Sequence, residues 1–301
     1  MSSQMEEVKN SQRNQLKDII ESNKCISYFI LTFLISWLSW GASILLSNVE
    51  GHATSGFEGG FVTLAGLGPL LAAIIIIKVS GGSILKWLKQ IMSWKIKIRW
   101  YVVALGLPIL IFSITTGIYA VLGGNIDLGG MDNIEFLIFI IPLFIYTTLL
   151  GGGIEEFGWR GFALPKLQES YNALAASLIL GFIHAFWHMP MLLMPGTFHA
   201  NSSFSLYVVS GLALSVLFTW LYNNTGSVIL AVLFHGMRNT FFIAAILPAF
   251  DMETFEVPEI PMSLQLTETS VWLFFAILVV IVFGAEKLSS KEELPTIFIG
   301  D

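Results

Sequence analysis

Apolar runs long enough to cross a bilayer recur along almost the whole chain. A helix needs about 20 apolar residues to span the hydrocarbon core, and such runs fall at about 26–48, 60–78, 100–122, 134–153, 172–194, 205–222, 227–248 and 268–285. The last has the shortest uninterrupted apolar core, Val271 to Ala285. Only 12% of the 301 residues are charged and 55% are hydrophobic, whereas soluble domains are about a quarter charged. The reading is an all-α, polytopic membrane helix bundle of about eight transmembrane helices. A lipid bilayer is its required partner, and nothing suggests nucleic acid.

The basic residues orient the spans. All 15 Lys and Arg except Arg238 lie in the N-terminal segment, around 78–99, at Arg160 and Lys166, or after the last span. The alternate connections carry acids instead, among them Glu50, Glu58, Asp127, Asp132, Asp251 and Glu256. Cytoplasmic connections are enriched in Lys and Arg, so both termini are expected in the cytoplasm. Residues 1–25 read as a polar tail with no cleavable signal, and Cys25, the single cysteine, as a bystander. Segment 80–99 interleaves lysines with Ile84, Leu85, Trp87, Leu88, Ile91 and Trp94. That pattern predicts an amphipathic helix packed against the cytoplasmic leaflet.

Polar residues inside such spans are costly and tend to mark function. The fourth run ends in Gly151-Gly152-Gly153 and then Glu155, Glu156 and, four residues on, Arg160. The glycines allow a kink, and the spacing lets Arg160 pair with Glu156. His184 and His188 share a helix face, as do His235 and Asn239. Three spans thus carry material for one intramembrane site. A glutamate with a histidine can activate water, and a histidine with an amide can hold an oxyanion. The same Glu155, His188 and His235 can instead hold zinc. His-Glu-x-x-His and Gly-x-Ser-x-Gly are absent, and Ser210 reads as a packing serine.

Glu-Glu-x-x-x-Arg, the histidine of Trp-His-Met-Pro, and Tyr-Asn-Asn-Thr-Gly-Ser-Val-Ile-Leu-Ala-Val-Leu-Phe-His-x-x-x-Asn occur in that order. Together they resemble the CPBP intramembrane proteases, which include the CAAX prenyl endopeptidases of the Rce1 type and the bacterial Abi proteins. The motifs cover residues 150–242. The resemblance implies a protease core at 126–250, preceded by helices at 26–125 and followed by a last helix and tail at 251–301. It implies that Glu155 and His188 activate the attacking water, that His235 and Asn239 stabilise the oxyanion, and that Glu156 and Arg160 support them. Its members are labelled metalloproteases or metal-free glutamate enzymes, so zinc is left open. One position departs from the family. His184 stands where an aromatic residue is usual, and is expected either to be a neutral supporting residue or to add a hydrogen bond or ligand that other members lack. Arg238 is expected either to pair with Glu156 or to line the cavity.

Bringing these residues to one depth requires the fourth helix to run through Arg160, leaving 161–171 as the cytoplasmic turn. The site is then expected to open toward the cytoplasm. The substrate implied is a prenylated protein tail or, in a bacterial plasma membrane, a peptide such as a bacteriocin or its leader. Two other classes compete, a non-catalytic immunity or scaffold protein that binds a peptide, and an ion- or proton-coupled transporter.

Overall fold

The computed structural model describes residues 4, 6, 20–47, 55–124, 134–194, 197–246 and 259–299, with the side chains of 47, 55–59, 134–137 and 246 left aside. Among the described residues every regular element is helical. The long helices are α1 (Lys24–Ser47), α2 (Ser55–Gly66), α3 (Gly68–Val79), α4 (Ile84–Ile91), α5 (Ile98–Val121) and α6 (Ile134–Leu149). After a helical stretch at 153–168 come α7 (Ala173–Trp187), α8 (Phe204–Thr225), α9 (Val228–Ile246) and α10 (Met262–Phe283). Seven stretches are long and apolar enough to cross a membrane, and the α2–α3 pair, bent by 54°, makes an eighth. The chain is an integral membrane protein.

The spans are inside-out compared with soluble helices. In α1, Thr32, Ser36, Ser39 and Ser43 are buried, while Ile30, Leu34, Leu38 and Leu45 are exposed. Lipid is as apolar as leucine, so small and polar residues make the helix contacts. Ser36 Oγ donates to the Ala65 carbonyl at 2.7 Å, and a Cβ on Gly68 would collide with that hydroxyl. The glycine therefore lets α3 lie directly on α1.

One buried cluster joins α1, α3, α4, the 153–168 stretch and α7. A second joins α5, α8, α9 and α10. Between them α6 locks onto α9. Thr147 Oγ1 lies 2.9 Å from the Gly236 carbonyl and 2.8 Å from Thr240 Oγ1. A Cβ on Gly236 would strike Thr148.

Three expectations change. The amphipathic helix covers only 84–91, and its Trp87 and Ile91 are buried. Trp87 Nε1 donates to the Gly161 carbonyl at 2.8 Å, so α4 caps the protein as well as facing the leaflet. The last helix begins at Met262, earlier than its apolar core suggests, because Glu268 and Thr269 find partners on α9 and α8. Finally, 161–171 is not a turn. Helix continues to Gln168, since Phe162, Ala163, Leu164 and Leu167 are buried and gain more as a packed helix than as a solvated loop.

Candidate active site

The fourth span carries the first half of the site. α6 stops at Leu149, and the chain breaks at Gly151 and Gly152 before resuming as 3-10 helix, α-helix and a π-turn over 153–168. Gly152 has φ +116°, which side-chain-bearing residues rarely adopt. A Cβ there would also sit 2.6 Å from Asn239 Nδ2 and 2.7 Å from His235 Nε2. The glycine thus redirects the helix and lets backbone approach two site residues. The break lies within a single membrane span, 138–168, so the helical path does reach Arg160, after one interruption.

With the path extended, the depths agree. At 1.5 Å per residue, Glu155 lies roughly 20 Å from Gln168, His184 roughly 17 Å from Ala173, and Asn239 roughly 17 Å from Val228. Gln168, Ala173 and Val228 all lie near the Lys/Arg-rich connections. Three separately folded segments therefore bring their site residues to a similar distance from that end.

Glu155 is buried. His184 Nε2 lies 3.1 Å from its Oε2. The Nδ1 of His188 bonds the His184 carbonyl at 3.0 Å, and a carbonyl only accepts. His188 therefore carries its proton on Nδ1, and in the neutral ring Nε2 is a lone pair. One donor atom each from Glu155, His184 and His188 lie within 4.8 Å of one another. His184 is thus in direct contact with the carboxylate, the added hydrogen bond that was one of the two expectations for it.

Glu156 points the other way and is fully buried. It accepts from Arg160 Nη1, with 3.0 Å to Oε2, and lies 2.7 Å from His235 Nδ1. Arg160 also donates to Ser215 Oγ at 3.1 Å and lies over the Phe218 ring at 4.3 Å. With Nδ1 donating to a carboxylate, His235 presents Nε2 as an acceptor when neutral and as a donor when protonated. Asn239 Nδ2 donates to the Gly151 carbonyl at 2.7 Å. Its second N–H remains for another acceptor, because the amide nitrogen carries two.

Arg238 does not pair with Glu156. It donates from Nη1 to Asn239 Oδ1 at 3.0 Å, approaches Glu268 at 3.6 Å and lies over Phe242. Sequence reasoning missed Glu268, Ser215, Tyr207 and His199. Ser215 carried no signal, whereas Glu268, an acid at the margin of an apolar run, was one.

Glu155, His184, His188, His235, Arg238 and Asn239 line one cavity of about 320 Å³ with Trp40, Gly66, Tyr146, Leu150 and Tyr207. Its wall includes Thr197, Phe198 and His199, in the connection opposite the Lys/Arg-rich ones. Burial, then the Arg238 charge, hold the His199 imidazole down to about 3, so it is a neutral wall. Trp159, Phe162 and Trp87, toward the Lys/Arg-rich connections, are buried and do not line the cavity. Tyr146 and Leu150 line the cavity beside Gly66 and are about half exposed on the outer face of an apolar span.

Residues 137–241 match the family described as Type II CAAX prenyl endopeptidase Rce1-like. The matched stretch of this chain is similar to that family's core. The chain is also 29% identical over 231 residues to the CAAX prenyl protease 2 of Methanococcus maripaludis, covering 70% of this chain and 81% of that protein. The Rce1-like segment spans all three site-bearing stretches.

The donor set also bears on a metal. Two imidazoles and a carboxylate are what zinc prefers, and the trio close enough to share an ion is Glu155, His184 and His188. His235, expected in that set, is turned to Glu156. The residues fit a metal, provided the His184 nitrogen exchanges its bond to Glu155 for the ion.

Proposed function

We propose that the protein is an intramembrane endopeptidase that hydrolyses a peptide bond in a prenylated, membrane-anchored protein tail. The observation that carries this reading is a buried carboxylate, Glu155, held between two imidazoles and facing the amide of Asn239 across one cavity. The cavity's edge at the half-exposed Tyr146 and Leu150 gives a lipidated substrate lateral access without crossing water.

In this reading a water bound against Glu155 and His188 Nε2 loses a proton as its oxygen attacks the carbonyl carbon. The developing oxyanion accepts the free N–H of Asn239 and, from the protonated ring, His235 Nε2. The proton held at Glu155 then passes to the amine as the C–N bond breaks. Glu156 and Arg160 hold His235 in place. Zinc, if bound, is held by Glu155, His184 and His188 and supplies Lewis-acid polarisation of water.

The basic residues support an orientation with both termini in the cytoplasm. The test is cleavage of a prenylcysteine peptide by purified wild type and Glu155→Gln, each with and without a zinc chelator. Wild type is expected to cleave and Glu155→Gln to lose at least 100-fold. Equal rates for the two would sink the reading. Loss of wild-type activity in the chelator arm would assign the metal route, and retention the glutamate–water route. Cleavage of unprenylated peptides at the same rate would move the substrate to a bacterial peptide.

A further inference from the structure

We infer that Arg238 binds the C-terminal carboxylate of the substrate and so sets where the chain is cut. The inference rests on the proposed reaction, whose substrate class ends shortly after its lipidated cysteine.

Arg238 is the one Lys or Arg in the sequence outside the basic connections and the Glu156 pair. A cation so deep needs a reason, and its intramolecular contacts do not use it up. Nη1 donates to Asn239 Oδ1. Glu268 Oε1 is 3.6 Å from Nη2, too far for a hydrogen bond, and also accepts from Trp272 Nε1 at 3.2 Å. Nε has no hydrogen-bond partner among the described residues. A guanidinium has five donors in a fork that matches a carboxylate, and most of them remain. The three cavities around the site all include Arg238 in their walls. The imidazole beside it, His199, is held neutral and does not compete for an anion.

The position suits the length of the leaving group. Asn239 sits between Gly151, which it bonds through Nδ2, and Arg238, which it bonds through Oδ1. Leu150, next to Gly151, borders the lipid-facing side of the cavity. The order across the site is therefore lipid, scissile carbonyl, arginine. A three-residue leaving group reaches at most about 10 Å, and the guanidinium begins 3.0 Å beyond the oxyanion-holding amide. A prenyl chain on the lipid side and a terminal carboxylate on Arg238 place the bond between them beside Glu155. Longer tails put their carboxylate past the cation.

The test uses full-length protein and three prenylcysteine peptides, one with three residues and a free acid after the cysteine, one with the same sequence as an amide, and one extended by three residues. Wild type should cleave the acid at least 10-fold better in kcat/KM than the other two, mainly through KM. Arg238→Gln should cost the acid at least 10-fold more in kcat/KM than it costs the amide, bringing the two peptides to the same level. Glu268→Gln, which removes the competing carboxylate, should lower KM for the acid alone. Equal cleavage of acid and amide by wild type overturns the inference while leaving the protease reading intact. An Arg238→Gln loss of equal size on both peptides also overturns it, and assigns Arg238 to holding the Asn239 amide. No cleavage of any peptide by folded wild type removes both readings together.

Discussion

Gly152 shows how one residue can be required for two independent reasons. Its φ of +116° strains any L side chain, and its Cα faces the two groups assigned to the oxyanion. The two effects can be separated. Gly81 has φ +75° but open space around it, so Gly81→Ala carries strain without a collision. Gly152→Ala is expected to lower kcat by about 100-fold, since a displacement of about 1 Å at a reacting group costs that much. Gly81→Ala should change thermal stability by no more than about 1–3 kcal/mol and leave kcat alone. Single-turnover rates and melting of both variants in detergent check this. The glycine run was visible in the sequence, as was the site partnership of Glu155, His188, His235 and Asn239. For His184 the sequence left two alternatives, a neutral supporting ring or an added hydrogen bond. Helical spacing puts His184 and His188 on one face without saying which ring points at the carboxylate, and that choice depends on the Trp159 ring packed 4.9 Å from His184.

At the scale of elements, the 153–168 stretch departs furthest from a simple span, and one buried ion pair fastens it. Arg160 bonds Glu156 within the stretch and Ser215 on α8, and Glu156 reaches His235 on α9. Removing the cation leaves a buried carboxylate with only the His235 imidazole as partner, and breaking a buried pair typically costs about 3–5 kcal/mol. Arg160→Leu is accordingly expected to lower the melting temperature strongly. Adding Glu156→Leu should recover much of that loss, because a buried pair often exchanges for apolar residues at little net cost, while activity stays low. Recovery of activity with stability would contradict the role given to Glu156 in holding His235. Span positions were legible from hydropathy because each run had to match the bilayer. The break in α6, the π-turn and the docking of Trp87 onto Gly161 were not, because they are set by contacts between segments distant in sequence.

For the whole molecule, two observations pull in different directions. The Lys and Arg residues cluster at one end, which predicts that this end is cytoplasmic. The cavity wall reaches Thr197, Phe198 and His199 at the other end, whereas a prenylated tail resides in the cytoplasmic leaflet. Both can hold if the substrate enters sideways, between Gly66 and the Tyr146–Leu150 edge, at a depth the lipid itself reaches. Two single-cysteine proteins in a Cys25→Ser background measure the orientation. Ser205 begins α8 near the cavity's far wall, and Lys291 follows α10, and both are exposed. A membrane-impermeant maleimide added to intact cells is expected to label Ser205→Cys and not Lys291→Cys, with both labelled after permeabilisation. Lateral passage then becomes the route by which a cytoplasmic tail arrives, and widening Gly66 to Trp should raise KM for prenylated peptides selectively. The opposite labelling pattern would mean that the acidic connections face the cytoplasm. The cavity would then open directly toward its substrate, and the Gly66 substitution should have little effect on KM.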